Sequence, residues 1–151
     1  MLTFLFLLAL LNGDFSQGLS HWQAEPGWSV QNQVAQLSTD NRAGTGTRGA
    51  DLCSDATALS GAAQVRGAAD VWAKRTNRGY VFVGVRWFDS LKRPLWTEMH
   101  ASNEGLPNAT WQRLAFNAPV PPEARFVSFC FFSGAYAGKT YRAQADNATL
   151  Q

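Results

Sequence analysis

The sequence predicts an all-β protein folded as a β-sandwich or jelly roll. About nine short segments alternate apolar and polar residues at even spacing, and no stretch shows the apolar periodicity of an amphipathic helix. Turn residues such as Asn12-Gly13 separate these segments. The chain of 151 residues is rich in Trp and Gly and only 16% charged, which suits strands better than long surface helices. We therefore expect one domain of two antiparallel sheets.

The N-terminal part of the chain combines an apolar segment with weak strands. Residues 1–11 are almost wholly apolar and too short for a bilayer span of about 20 residues. They suit either the apolar region of an export signal or an apolar extension of a first strand. We take residues 12–151 as the single β-sandwich domain. Alternation predicts one or two short strands within 28–37 and a weak strand within 50–59, joined by a polar loop.

The central stretch, residues 64–89, is the most informative. Two alternating segments flank a Lys-Arg-Thr-Asn-Arg-Gly turn, which predicts a β-hairpin. In each segment one face is small and aliphatic, as a core requires. The opposite face mixes aromatic and charged side chains, which a plain solvent face would not carry. The members of that face that we single out as candidate ligand contacts are Arg66, Asp70, Trp72, Phe82 and Arg86.

The C-terminal half continues with strands of the same kind. Alternation predicts strands at 95–100, 111–116, 126–132 and 141–150. The three prolines within 118–124 exclude a central strand there, because proline has no N–H to donate. The strand at 95–100 places Trp96, Glu98 and His100 on one face, which would extend the candidate ligand surface if that strand joins the same sheet. Three further tryptophans are interpreted as packing residues: Trp22, Trp87 and Trp111.

Composition and motif spacing argue against several classes of function. The 13 basic and 11 acidic residues give a formal charge of +2 with no long basic run, which argues against nucleic-acid binding. His21 and His100 are not at metal-ligand spacing, and there is no Gly-x-Ser-x-Gly elbow. No pair of carboxylates is singled out for glycoside hydrolysis. We therefore expect a protein that is not an enzyme.

The two cysteines, Cys53 and Cys130, lie far apart in the sequence. They lack Cys-x-x-Cys spacing, so zinc and thioredoxin-like sites have no support. Two interpretations remain open. Either they pair as a disulfide across the sandwich, as an exported protein permits, or each is a small buried hydrophobic residue.

Four short motifs resemble those of a known family. They are Asn-Gly-Asp-Phe at 12–15, Ala-Asp-Val-Trp-Ala-Lys at 69–74, Thr-Trp at 110–111 and Asp-Asn-Ala-Thr-Leu at 146–150. In this order the chain resembles the jelly-roll carbohydrate-binding modules attached to xylanases and glucanases, within the galactose-binding-like superfamily. The resemblance covers essentially the whole chain. It implies a jelly-roll β-sandwich of two antiparallel sheets.

The resemblance also implies a structural calcium ion between the opening turn and the closing strand. By position its carboxylate ligands would be Asp14 and Asp146. The family pattern usually has Glu where Ser16 stands and Asp where Asn147 stands, so two negative charges are missing here. The alternative is that both aspartates only cap turns.

The function that we expect is non-catalytic recognition of an oligo- or polysaccharide on the concave sheet face. Trp72 would stack on the sugar, with Arg66, Asp70, Phe82 and Arg86 around it and Trp96 and Glu98 as extensions. We expect the protein outside the cell or at its surface, without a membrane span. The alternative hypothesis is a structural or assembly module of a phage virion or cell-surface protein, which uses the same fold for protein contacts.

Overall fold

A computed structural model describes residues 10–40, 48–75, 80–104, 107–135 and 140–151, and all regular structure within them is β-strand. The strands are β1 (Trp22–Ala24), β2 (Trp28–Gln31), β3 (Val34–Asp40), β4 (Arg48–Ser54), β5 (Thr57–Ala58), β6 (Gln64–Arg75), β7 (Tyr80–Phe88), β8 (Pro94–Ser102), β9 (Gln112–Pro119), β10 (Phe126–Ala135) and β11 (Thr140–Leu150). They exceed the predicted number of about nine because β1 was not predicted as a strand and because the segment 50–59 contributes to two strands, β4 and β5. In the described residues no helix is long and apolar enough to span a membrane.

The strands form two antiparallel sheets that pack into a sandwich. Sheet A has the order β1-β4-β10-β7-β8, with β5 also paired to β10. Sheet B has the order β2-β3-β11-β6-β9. The predicted all-β jelly-roll sandwich is therefore confirmed.

The core lies between the inner faces of the two sheets, as the alternation requires. The inward residues of β7, which include Val83 and Trp87, are fully buried. An aromatic cluster fills the end of the sandwich near the opening turn. There the Phe15 ring lies 4.9 Å from Trp22 and 6.5 Å from Phe131, measured between centroids. The packing roles predicted for Trp22 and Trp87 are confirmed, because their exposed fractions are 7% and 0%.

The opening turn is fastened to the closing strand β11. The Ala148 N–H donates a hydrogen bond of 2.9 Å to the Gly13 carbonyl. A β-carbon at Gly13 would collide with the Ala148 carbonyl, so the approach of the two backbones requires glycine. The Asn12 amide ties the turn together by donating to the carbonyls of Gly18 (2.9 Å) and Ser20 (2.8 Å). The two ends of the domain therefore meet at one junction.

The predicted hairpin between the two central segments is wrong. β6 lies in sheet B between β11 and β9, whereas β7 lies in sheet A between β10 and β8. Alternation gave the correct inner and outer faces of each strand, but it carries no information about pairing partners. The predicted turn residues 76–79 lie outside the described residues. Because the two strands belong to opposite sheets, their outer faces point to opposite sides of the molecule.

A disulfide joins Cys53 and Cys130 on the outer face of sheet A. The two residues are directly opposite each other in the register of β4 and β10. The bond therefore links neighbouring strands within one sheet, and not the two sheets of the sandwich as expected. Phe82 and Phe132 pack against it. This disulfide closes a segment with a sequence separation of 77 residues.

Candidate functional site

The outer face of sheet B carries a row of ligand-type side chains that crosses four strands. Trp72 on β6 is opposite Gln144 on β11, Gln144 is opposite Gln36 on β3, and Gln36 is opposite Ser29 on β2. Side chains directly opposite on one face of a sheet are neighbours. These residues line a groove of about 330 Å³, together with Ser38 and Arg142. An indole and two amides thus share one open groove.

The two amides in this groove are available for a ligand. Neither Gln36 nor Gln144 makes a side-chain hydrogen bond to the described part of the chain. Each amide offers both donors and acceptors. The sequence did not mark these glutamines as site residues. Alternation of apolar and polar residues predicts only that their side chains face outward. Their alignment beside Trp72 depends on the pairing of β11 between β3 and β6.

A second depression on the same face surrounds Trp111. It has a volume of about 200 Å³ and is lined by Trp111, Asp70, Asp146 and Asn147. Trp111 is 44% exposed, so its predicted packing role is wrong. It stands just before β9, the edge strand, where one side of the indole has no neighbouring strand to cover it. A second aromatic residue therefore lies on the outer face of sheet B.

Asp70 is held in place by two donors. Arg113 donates to it from Nη1 at 3.1 Å, and the Asn147 amide donates at 3.0 Å. The same Arg113 atom also donates to the Asn147 carbonyl at 2.9 Å. This network fixes one end of the face. Asp70 therefore takes part in a hydrogen-bonded polar corner, where its position is set before any ligand arrives.

Arg66 lies on the same face of β6 but away from the groove. Its backbone exchanges hydrogen bonds with Gln151, and its side chain is exposed. Of the predicted ligand residues, Trp72, Asp70 and Arg66 share the outer face of sheet B, but of these three only Trp72 lines the groove. The others lie elsewhere.

Phe82 and Arg86 lie on the outer face of sheet A, opposite to Trp72. Phe82 packs on the disulfide and against Tyr80, with 5.4 Å between ring centroids. Arg86 pairs with Asp51 through Nη2 at 3.2 Å, and its Nε lies 3.4 Å from the Thr97 hydroxyl. Burial, followed by the negative charge of nearby Glu25, raises the pKa of Asp51, while Arg86 acts to lower it. The expectation that these residues form one platform with Trp72 is wrong, because the hairpin that would join them does not exist.

Trp96 and Glu98 form a third group on β8, the edge strand of sheet A. The Trp96 indole donates to Glu98 at 2.9 Å, and the other Glu98 oxygen lies 3.1 Å from His100 Nε2. The His100 ring stacks on Phe116 of β9 at 4.8 Å. The group therefore closes the open side between the two edge strands. It does not extend the groove around Trp72.

Asp14 in the opening turn and Asp146 on β11 lie near the junction that the Gly13–Ala148 hydrogen bond forms. Burial raises the pKa of Asp146, and the negative charges of Asp70 and Asp14 add to this effect. Hydrogen bonds from the Ser16 N–H and hydroxyl hold the pKa of Asp14 below its ordinary value. The two carboxylates are thus close enough to repel each other.

These carboxylates fit part of a calcium site. Calcium takes six to eight oxygens, many of them carbonyls. No group of three or more His, Cys, Asp or Glu side chains suited to a metal occurs within the described residues. The remaining oxygens would have to come from backbone carbonyls and water. Asp14 and Asp146 would hold the ion, whose positive charge would offset their repulsion.

Comparison with known proteins identifies the fold. No family model matches the chain, and no curated protein matches its sequence. A family 61 carbohydrate-binding module, solved in complex with β-1,4-galactotriose, superposes with a TM-score of 0.60 at 13% identity, covering 95% of this chain and 97% of that one. The fold is that of the jelly-roll carbohydrate-binding modules.

Other jelly-roll structures give the same result. A family 16 carbohydrate-binding module has a TM-score of 0.58 at 15% identity and covers 95% of this chain and 99% of that one. The enzymatically active domain of bacteriophage CBA120 tailspike protein 4 also has a TM-score of 0.58, at 13% identity, but the match covers only 21% of that chain. The predicted resemblance is therefore confirmed at the level of the fold, which occurs in modules and within larger enzymes alike.

Proposed function

We propose that this domain binds a glycan on the outer face of sheet B, with Trp72 as the stacking platform. The observation that carries the proposal is the in-register row of Trp72, Gln144 and Gln36 along an open groove. The C–H face of a pyranose is apolar and lies flat against an indole, while its hydroxyls need groups that both donate and accept. Half-buried Trp72 and two unengaged amides supply both requirements.

Sheet A is the less suitable face for the same role. On its outer face Arg86 is engaged with Asp51 and Phe82 covers the disulfide. On its edge strand β8, the candidates Trp96 and Glu98 are bonded to each other. A ligand there would first have to break an ion pair that is partly shielded from water. We therefore assign recognition to sheet B and a scaffold role to sheet A.

We further propose that the domain is non-catalytic and works outside the cell or at its surface. The face of sheet B offers Asp70 and Asp146 as carboxylates, but Asp70 is engaged by Arg113 and Asn147. The disulfide supports an oxidising compartment. The apolar segment 1–11, which suits either an export signal or an apolar extension of a first strand, falls largely on residues 1–9, outside the described residues.

The test is a glycan screen with matched variants. The purified domain is titrated against a panel of oligo- and polysaccharides, and binding that appears is measured again for Trp72→Ala and for Phe82→Ala. We expect Trp72→Ala to lose affinity for the glycan and Phe82→Ala to bind it as the wild type does. Equal loss for both, or for Phe82→Ala alone, would move the site away from sheet B.

We propose calcium as a structural support at the junction of Asp14 and Asp146. If it binds, millimolar calcium should raise the melting temperature of the wild type relative to the chelated protein. Asp146→Asn should lose this response. It should also melt slightly higher than the wild type in chelator, because the substitution removes a carboxylate that is repelled by its neighbours. A melting temperature that calcium does not change would exclude a structural calcium site.

A protein-contact function is the second candidate, favoured by the exposed apolar side chains of one edge. Leu91, Trp96 and Met99 are 71%, 42% and 58% exposed, and all three lie on or just before β8. Edge strands that carry apolar side chains are prone to pair with other chains. Sedimentation of the wild type and of Met99→Glu tests this candidate. A concentration-dependent assembly that Met99→Glu abolishes, without glycan affinity, would favour it.

A further inference from the structure

The face of sheet B carries two cations directly opposite each other. Lys74 on β6 pairs in register with Arg142 on β11, and both side chains are exposed. Like charges in opposite positions destabilise a sheet. No ion pair or hydrogen bond joins either side chain to another described residue. The fold itself gives no reason for this pair, because a neutral residue at either position would be more stable.

The pair lies beside the proposed stacking platform. Arg142 lines the groove with Trp72 and Gln144. Lys74 and Arg142 are each two residues along their strands from this row, a displacement of roughly 7 Å at the usual rise of a strand. One sugar residue spans such a distance. A substituent on the residue next to the stacked ring would therefore reach both cations.

The charges on this face are also arranged in order along the strands. On the other side of the Trp72 row, again two residues away, Asp70 and Asp146 are opposite each other. The face thus has a cationic row, an uncharged row and a third row in which Arg113 pairs with Asp70 and Asp146 has no ion pair among the described residues. An anionic group would be attracted to the Lys74 and Arg142 side of the groove and repelled from the Asp146 side, so an anionic substituent of a bound chain would lie on the cationic side.

We infer that the natural ligand of this groove is an acidic glycan, with a carboxylate or sulfate group bound between Lys74 and Arg142. The inference rests on the proposed function and adds the chemical class of the ligand. A guanidinium binds a planar carboxylate or a sulfate by two parallel hydrogen bonds, and the ammonium of Lys74 adds a point charge. Neutral segments of the same chain would lie on Trp72 and towards Gln36.

The experiment compares oligosaccharides that differ in one group. Xylo-oligosaccharides that carry one glucuronate are titrated calorimetrically beside their uncharged methyl esters. Galacto-oligosaccharides with and without one sulfate ester form the second arm. We expect the anionic member of at least one pair to bind about tenfold more tightly, with a preference that declines as salt is raised. A preference in the glucuronate pair would identify a carboxylate as the bound group, and a preference in the sulfate pair would identify a sulfate.

Variants that each remove one positive charge show where the anionic group binds. Lys74→Gln should reduce the preference for the anionic member severalfold and leave the affinity for the neutral member unchanged. Lys92→Gln, which removes a lysine that packs over Phe126 on the sheet A side, should change neither. Arg142→Gln should also reduce the preference for the anionic member. Because Arg142 lines the groove itself, its effect is judged from the ratio of the two affinities and not from the affinity for the neutral member.

The outcomes separate this inference from the proposed function. If the wild type binds charged and neutral oligosaccharides equally tightly and Trp72→Ala binds neither, the acidic ligand is refuted and the proposed glycan site is retained. Equal effects of Lys74→Gln and Lys92→Gln, or binding of inorganic polyphosphate as tight as that of the anionic sugar, would also refute it. No binding of any member would overturn the proposed function together with this inference.

Discussion

Replacing Trp72 by alanine should separate binding from folding. Trp72 is half-buried on the outer face of β6, so its removal leaves the inner face of the sandwich intact. We expect the affinity for the glycan to fall by about thirtyfold. The melting temperature should fall by only about 2–4 °C, as a loss of about 1 kcal/mol in a domain of this size implies.

The magnitude follows from the surface that a stacked sugar would cover. A tryptophan side chain presents about 150–250 Å² in full, and the partly buried Trp72 would keep roughly 30% of it, about 60 Å², accessible. Covering this area and a similar area of the sugar removes about 120 Å² from water. At about 25 cal/mol per Å² this contributes about 3 kcal/mol before the ordering cost of binding. A net loss of about 2 kcal/mol corresponds to about thirtyfold in Kd.

Calorimetric titration and thermal melting of the same preparations provide the assay. Trp72→Phe, which keeps a smaller ring, should recover part of the affinity. Trp87→Ala provides the contrast, because Trp87 is fully buried between the sheets. Its loss should cost about 3–5 kcal/mol of folding free energy.

One pair of results would refute the reasoning. If Trp72→Ala unfolds the domain as Trp87→Ala does, then Trp72 is a core residue and not a platform. If instead Trp72→Ala folds normally and binds the glycan as tightly as the wild type, the stacking contribution calculated above does not exist. In that case Trp111, the other exposed tryptophan on this face, becomes the residue to replace.

The other predictions concern stability. Replacing both Cys53 and Cys130 by alanine should cost about 4 kcal/mol in the chain-entropy model, for a separation of 77 residues. Melting should therefore fall by about 10–15 °C, and unchanged glycan affinity would agree with a bond on the opposite sheet. Asp51→Asn should raise the free energy of unfolding at pH 7. Burial and the charge of Glu25 raise the pKa of Asp51, so the folded state holds this proton more tightly than the unfolded chain. The resulting stabilisation is full below the unfolded pKa of about 3.9 and is lost as the pH rises through the folded pKa. Urea titrations should show a higher free energy of unfolding for the variant than for the wild type at pH 7 but not near pH 3. An equal difference at both pH values would contradict the raised pKa of Asp51 as the cause. Gly13→Ala should lower the melting temperature because its methyl group would meet a carbonyl of β11, and an unchanged value would show that the junction can relax.

The sequence was sufficient to predict which side of each strand faces the core. Residues such as Val83 and Trp87 follow strict alternation and are fully buried. This works because a strand has a period of two whatever its neighbours are. The same logic placed Trp72 and Phe82 correctly on outer faces. It could not show that they lie on different sheets, since pairing depends on contacts between segments far apart in the chain.

The missed residues of the candidate site share this cause. Gln36 and Gln144 are ordinary polar positions in the sequence and become neighbours of Trp72 only through the pairing of β3, β11 and β6. Trp111 had looked like a core residue because tryptophan is usually well buried. Its exposure follows from its place beside the edge strand β9, which no local pattern reveals.

The two outer faces differ in whether their polar side chains have partners within the protein. This difference supports a scaffold role for sheet A and a recognition role for sheet B. On sheet A the outward side chains engage each other: Cys53 with Cys130, and Arg86 with Asp51. On sheet B, Asp70 pairs with Arg113, but the amides of Gln36 and Gln144 lack such partners among the described residues. Lys74 and Arg142 also lack them, and their like charges repel each other. A face that is stable in isolation satisfies its own polar groups, whereas a recognition face leaves them for a ligand. Substitutions on sheet A should therefore change mainly the melting temperature, and those around Trp72 mainly the affinity.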